Sequence, residues 1–330
     1  MLGVGVVIGM VLLFVAVRQV DWAAVANALA TVSPPALLLA MAMTAAAQAL
    51  FALRWYVLVG SGQGWTFHDA FDFLAIGALA GLVLPNRLSD VARAVAAGRY
   101  HATSATGLFG TIVIERLLDV LMLVAFGAAV SSLMSVPAFM QGALITLLVL
   151  VAIAVVVLWA GAGGPIGVLA RWAGRWRGPG SRVHEWAERF LAGTGVIREG
   201  GRIPQALLIS LAGWCCAAAS ASFVLKAFAV SAPWYGGAFV IVIINLAGIL
   251  PAPPAGLGVY HYAAMVGVTP WVPDASRAFA FALVSHAMSV AVVMIFGTWG
   301  LARKGLSLRT LRRMAASGVP EAQSTDERPA

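Results

Sequence analysis

Apolar runs of near-spanning length dominate the chain, separated by short polar segments. Residues 2 to 17 are apolar without a charge and are followed by Arg18 and Asp21. Further runs cover about 36 to 58, 106 to 133, 140 to 160, 205 to 229 and 277 to 302. A bilayer core about 30 Å thick takes about 20 helical residues, so the pattern predicts about six spanning helices, the first run among them. Two other apolar stretches, 71 to 84 and 234 to 250, are shorter and stop at Leu84-Pro85 and Leu250-Pro251. Proline removes a backbone donor and ends a helix, so each stretch is predicted to be one arm of a broken, re-entrant hairpin.

The two breaks resemble each other. Leu79-Ala80-Gly81-Leu82-Val83-Leu84-Pro85 matches Leu246-Ala247-Gly248-Ile249-Leu250-Pro251 when one gap is allowed. Each break lies between two long apolar runs, the layout of an internal repeat. The predicted fold is an all-α polytopic membrane protein with two proline-broken hairpins in an inverted-repeat-like arrangement. A rival count, in which both arms of each hairpin cross fully, gives eight spans. Residues 1–313 form one transmembrane domain, and 314–330, rich in Ala, Ser, Pro and acidic groups, are expected to be disordered.

Composition places this pattern in a membrane. Hydrophobic residues make up 61% and charged residues 10% of the chain, against about 45–50% and about 25% in soluble domains. The net charge of +8 has two readings, nucleic-acid binding or positively charged cytoplasmic loops, and its distribution selects the second. Arg171, Arg175, Arg177, Arg182, Arg189, Arg198 and Arg202 outnumber Glu185, Glu188 and Glu199 in the polar loop 162–204. Arg303, Lys304, Arg309, Arg312 and Arg313 follow the last run. Loop and C-terminus are therefore assigned to the cytoplasm of a plasma (inner) membrane protein. Counting back puts 59–70 and 86–105 inside and 230–276 outside. Within the loop, Val183, Trp186, Ala187 and Phe190 have the spacing of a surface amphipathic helix. Cys215 and Cys216 are adjacent, show neither disulfide nor metal spacing, and are read as small buried residues.

Ionisable residues within apolar segments are costly and are functional candidates by default. They concentrate in Pro85-Asn86-Arg87-Leu88-Ser89-Asp90-Val91-Ala92-Arg93 and in Glu115-Arg116-Leu117-Leu118-Asp119. Glu115 and Asp119 share a helix face and need cations, with Arg54, Arg87 and Arg93 as partners. Two readings follow: a site gripping a lipid phosphate through Arg87, Arg93 and Arg116 with the carboxylates orienting them, or a structural ion-pair network. The second break contains Pro251, Pro253, Pro254, Gly256 and Gly258, which together impose a sharp turn, followed by Tyr260 and His261. His261 suits proton coupling or a plain structural role. No nucleophile elbow, P-loop, dinucleotide fingerprint or metal motif is found, so no cofactor or metal is expected and enzymatic chemistry is disfavoured.

These motifs resemble the membrane domain of the lysylphosphatidylglycerol synthase and flippase family. Its Arg-Trp, Leu-Pro-Gly-Arg-x-Gly-Asp-x-x-Arg, Glu-Arg-x-x-Asp and Pro-Gly-Gly-x-Gly-x-x-Glu elements are matched by Arg54-Trp55, the stretch from Leu84 to Arg93, Glu115 to Asp119, and Pro254 to His261. Asn86, Ser89 and Ala255 stand at customary glycines and His261 at the customary Glu. The resemblance implies a lipid transporter of flippase type, handling a phospholipid, hopanoid-type or polyprenyl-linked lipid with an anionic headgroup. The soluble aminoacyl-transferase domain of the full synthases is not expected. Two alternatives stand beside this: an intramembrane transferase acting on a lipid-linked substrate, and a non-catalytic partner of an envelope-lipid synthase.

Overall fold

The computed structural model describes residues 2–60, 64–83, 86–161 and 201–316. Helices joined by short turns account for the fold, with no strand among the described residues. The amphipathic stretch 183–190, Leu84, Pro85 and 317–330 lie outside the described residues, as do the side chains of Asn86 and Arg87.

Two four-helix units form the body. The first comprises α3 (Pro34–Val59), α4 (Phe67–Gly81), α5 (Asn86–Tyr100) and α6 (Ala105–Leu133). The second comprises α8 (Arg202–Ala227), α9 (Gly236–Ala247), α10 (Val259–Val268) and α11 (Ala275–Lys304). Each unit runs long, short, short, long. Around them lie α1 (Leu2–Val17), α2 (Trp22–Ala30), α7 (Ala138–Gly161) and α12 (Leu308–Ala316).

Local chemistry sets the ends of these helices. Pro34 and Pro35 open α3, where a missing N–H costs nothing. At α4 the Thr66 hydroxyl accepts from Asp69 N at 3.2 Å while Asp69 accepts from Thr66 N at 3.0 Å, a reciprocal cap. Asp274 caps α11 by accepting from Arg277 N at 2.8 Å.

The packing relates the units reciprocally. α3 and α8 share the broadest interface, α11 of the second unit lies on α4 of the first, and α6 of the first lies on α9 of the second. Small residues permit these approaches, as is usual between membrane helices. A Cβ on Gly300 would come within 3.0 Å of the Asp72 carbonyl, and one on Gly297 within 3.0 Å of the Ala75 carbonyl. Between α3 and α8, Ser220 Oγ donates to Ala40 O at 2.9 Å and meets Thr44 Oγ1 at 2.8 Å.

Four helices are long and apolar enough to cross a membrane: Pro34–Val59, Ala138–Val157, Arg202–Ala227 and Ala275–Lys304. α6 has the length, and its Glu115, Arg116 and Asp119 set it apart from that group. The hairpin arms have 15, 15, 12 and 10 residues. At 1.5 Å per residue the longest reaches about 22 Å, short of a core of about 30 Å.

Three expectations are corrected. The first apolar run is not a single spanning helix: α1 turns by 84° into α2. The turn is fixed by Asp21, whose side chain caps α2 through Ala23 N at 2.9 Å and whose backbone N–H reaches Ser276 at 3.0 Å. Cys215 is exposed and Cys216 partly so, because they lie on the outer face of α8 rather than in the interface. Helix α12 extends through Ala316 into the expected disordered tail, since Leu311 is buried against the core containing Trp55, Trp65 and Phe73.

Candidate functional site

Three helices converge on one charged network. Arg54 comes from α3, Asp90 and Arg93 from α5, and Glu115, Arg116 and Asp119 from α6. Arg54 Nη1 donates to Asp119 Oδ1 at 2.6 Å, and Arg54 Nη2 donates to Glu115 Oε1 at 3.3 Å. The other Glu115 oxygen accepts from Arg93 Nη2. Arg116 donates through Nη2 and Nε to the two oxygens of Asp90 at 2.8 and 3.1 Å, and through Nη1 to Asp119 at 3.3 Å. Ser210 of α8 takes a further bond from Arg54 at 3.2 Å. The network thus joins both units.

Aromatic walls position the two inner guanidiniums. Arg93 lies 4.4 Å over the Trp55 ring and Arg54 5.0 Å over Phe51. Gly77 on α4 leaves room for the Arg93 stem, since a Cβ there would fall 3.1 Å from the Arg93 Cβ. Arg54, Arg93 and Glu115 are buried, whereas the Arg116 side chain is 57% exposed. Described charges balance, with three guanidiniums facing three carboxylates. Nevertheless Arg54 Nε and Arg93 Nε are buried N–H donors without a hydrogen-bond partner.

All six residues line a cavity of about 350 Å³, completed by Gln48, Phe51, Gly77, Trp214 and Asn245. It abuts a second cavity of about 270 Å³, with Gln48, Phe51, Ala217 and Ile241 common to both. Tyr260 lines the second cavity.

His261 lines neither. It is buried against His286 and Phe279, with ring centroids 4.8 and 6.2 Å away. The second hairpin turns through Pro251, Pro253 and a 3-10 turn at Pro254–Gly256, with positive φ at Ala255, Gly256 and Gly258. His286 holds this turn through a 3.0 Å contact between Nε2 and the Ala255 carbonyl oxygen.

Sequence reasoning missed a second polar cluster at the start of α4. Lys304 pairs with Asp69 and lies 3.6 Å from Asp72, which Arg303 also approaches at 3.6 Å. His101 stacks on Trp65 with centroids 4.0 Å apart and stands 3.8 Å from Asp69. Burial holds the His101 imidazole below its usual value, with the Lys304 cation acting in the same direction and the Asp69 carboxylate opposing. The signal was present as two aspartates three apart opposite a terminal Lys-Arg pair, but it spans more than 200 residues of sequence.

A family model for the transmembrane region of lysylphosphatidylglycerol synthase matches residues 2–297. The chain belongs to that family. The match covers both four-helix units and every residue of the charged network. No curated protein matches the chain. Family membership and the apolar helices together make this a multi-pass membrane protein tied to the handling of envelope lipid.

Proposed function

We propose that the protein is a flippase-type lipid transporter whose charged cavity receives a phosphate-bearing headgroup. The carrying observation is that the arginine network opens into a cavity adjoining an apolar one, the polarity profile of an amphiphile. Two buried guanidinium N–H groups without partners supply donors, and the exposed Arg116 supplies a planar fork suited to phosphate. Arg87, whose side chain is not described, lies one helical turn before Asp90 and adds a cation on the same arm.

Asp90 gives the site a means of exchange. An arriving phosphate displaces its carboxylate from Arg116, one bidentate acceptor for another, and releases the tie between α5 and α6. Tyr260 serves the uncharged side of the ligand, and His261 acts as a packing residue of the second hairpin. In this reading the hairpins enter from opposite faces of the inner membrane, with the C-terminus cytoplasmic, as the basic residues after the last span require.

The test is translocation of fluorescent phospholipid in proteoliposomes. Arg116→Ala is expected to slow it at least tenfold at equal protein abundance, while unchanged rates overturn the reading. Turnover that requires a soluble group donor transfers the protein to the lipid-modifying class instead.

A further inference from the structure

The two cavities are related by the repeat, and their chemistry differs. Glu115 and Asp119 are the eleventh and fifteenth residues of α6, counted from Ala105. The eleventh and fifteenth residues of α11, counted from Ala275, are Ser285 and Ser289. The reciprocal packing therefore sets a hydroxyl pair in the second cavity where the first has a carboxylate pair. No charged side chain lines the second cavity among the described residues.

Its hydroxyl protons are already committed. Ser285 donates to Ala282 O at 3.2 Å, Ser289 to Ser285 O at 2.9 Å and Ser220 to Ala40 O at 2.9 Å. Thr44 reaches Ala40 O at 3.1 Å, and the Tyr260 hydroxyl bonds the Ser285 and Ser289 side chains. A hydroxyl whose proton is bound to its own helix offers only lone pairs to a ligand. The wall accordingly presents acceptors in an apolar surround. Such a surface repels phosphate and carboxylate and rewards O–H donors, because an unpaired acceptor or anion there loses hydration without return.

We propose that the second cavity is a subsite for the uncharged, hydroxyl-bearing part of the headgroup whose phosphate lies in the first cavity. The shared wall at Gln48, Phe51, Ala217 and Ile241 makes the two spaces continuous, so one ligand reaches both. The substrate class is then an anionic lipid carrying a polyol on its phosphate. This rests on the headgroup reading above and adds the source of selectivity.

The experiment is native mass spectrometry of the full chain in detergent with two singly anionic lipids of identical acyl chains, phosphatidylglycerol and phosphatidylmethanol. The wild type is expected to bind phosphatidylglycerol about three- to tenfold more tightly, the net worth of one or two hydrogen bonds. The double variant Ser285→Ala, Ser289→Ala is expected to bind the two lipids alike, with phosphatidylmethanol affinity unchanged, which also reports an intact fold. Equal wild-type affinities, or a preference that survives the double substitution, overturn the subsite. Binding of both lipids that ignores Arg116→Ala overturns the headgroup reading instead, and no binding of either lipid overturns both.

Discussion

Arg116 and Asp90 face each other through two parallel hydrogen bonds, Nη2 to Oδ1 at 2.8 Å and Nε to Oδ2 at 3.1 Å. This fork ties the last helix of the first unit to the second hairpin arm, and it is more exposed than the other pairs of the network. A solvated ion pair contributes little to stability, about 0 to 1 kcal/mol, so the bond is positioned to open without threatening the fold. The buried Arg54, Arg93 and Glu115 cannot be exchanged so cheaply.

Replacing Asp90 therefore has an expected sign opposite to that of replacing Arg116. Asp90→Asn removes the carboxylate that competes with phosphate for the guanidinium. Affinity for an anionic lipid should rise about three- to tenfold, within the worth of one charged hydrogen bond. Translocation in proteoliposomes should slow, because the tie that reforms after release is lost. Weaker lipid binding by Asp90→Asn in a lipid titration would contradict the exchange.

Glu115 is the stability anchor of the site. It is 2% exposed and accepts from two arginines on different helices. Glu115→Ala leaves two buried guanidiniums short of a partner, a change that costs about 3–5 kcal/mol. Thermal unfolding in detergent should show a clearly lowered midpoint, with Glu115→Gln losing less because its carbonyl still accepts. An unaltered midpoint for Glu115→Ala would remove the carboxylate from its structural role.

The sequence exposed the ionisable residues of the site because charges are rare within apolar runs and each is costly there. It did not reveal which pairs form. Glu115 could be assigned to either arginine, and the structure gives it both. The Asp69, Asp72 and Lys304 cluster went unread because a lysine directly after an apolar run has a ready meaning as topological punctuation. The hydroxyls of Ser285 and Ser289 carry no pattern signal, since serine can bond its own helix anywhere in a membrane. The bend after Val17 lacks proline or glycine, and its fixing contact lies in α11, 255 residues from Asp21.

His101 gives the first hairpin a pH dependence outside the lipid cavity. Its imidazole is held below the usual value of 6.5, chiefly by burial beside Trp65. The unfolded chain therefore takes up a proton at a pH where the folded chain does not, so stability is lost as pH falls through about 6.5. The unfolding midpoint in detergent should drop between pH 7.5 and 5.5. His101→Gln should flatten that drop, and an unchanged slope would assign the dependence to other groups.

The N-terminal helix is held against the second hairpin by two glycines, and this contact is testable by adding a single carbon. Gly258 has φ +81°, and a Cβ there would overlap the Gly9 carbonyl oxygen. Gly9 in turn packs on Pro253 and the Leu257 carbonyl. Gly258→Ala adds the cost of a left-handed alanine, about 1–2 kcal/mol, to that clash. The helix must then withdraw, loosening the turn that His286 holds at Ala255. Limited proteolysis after solubilisation should cut near the turn at Arg18 faster in Gly258→Ala than in wild type. Equal cutting rates would mean that the helix is held elsewhere, by the contact between Asp21 and Ser276.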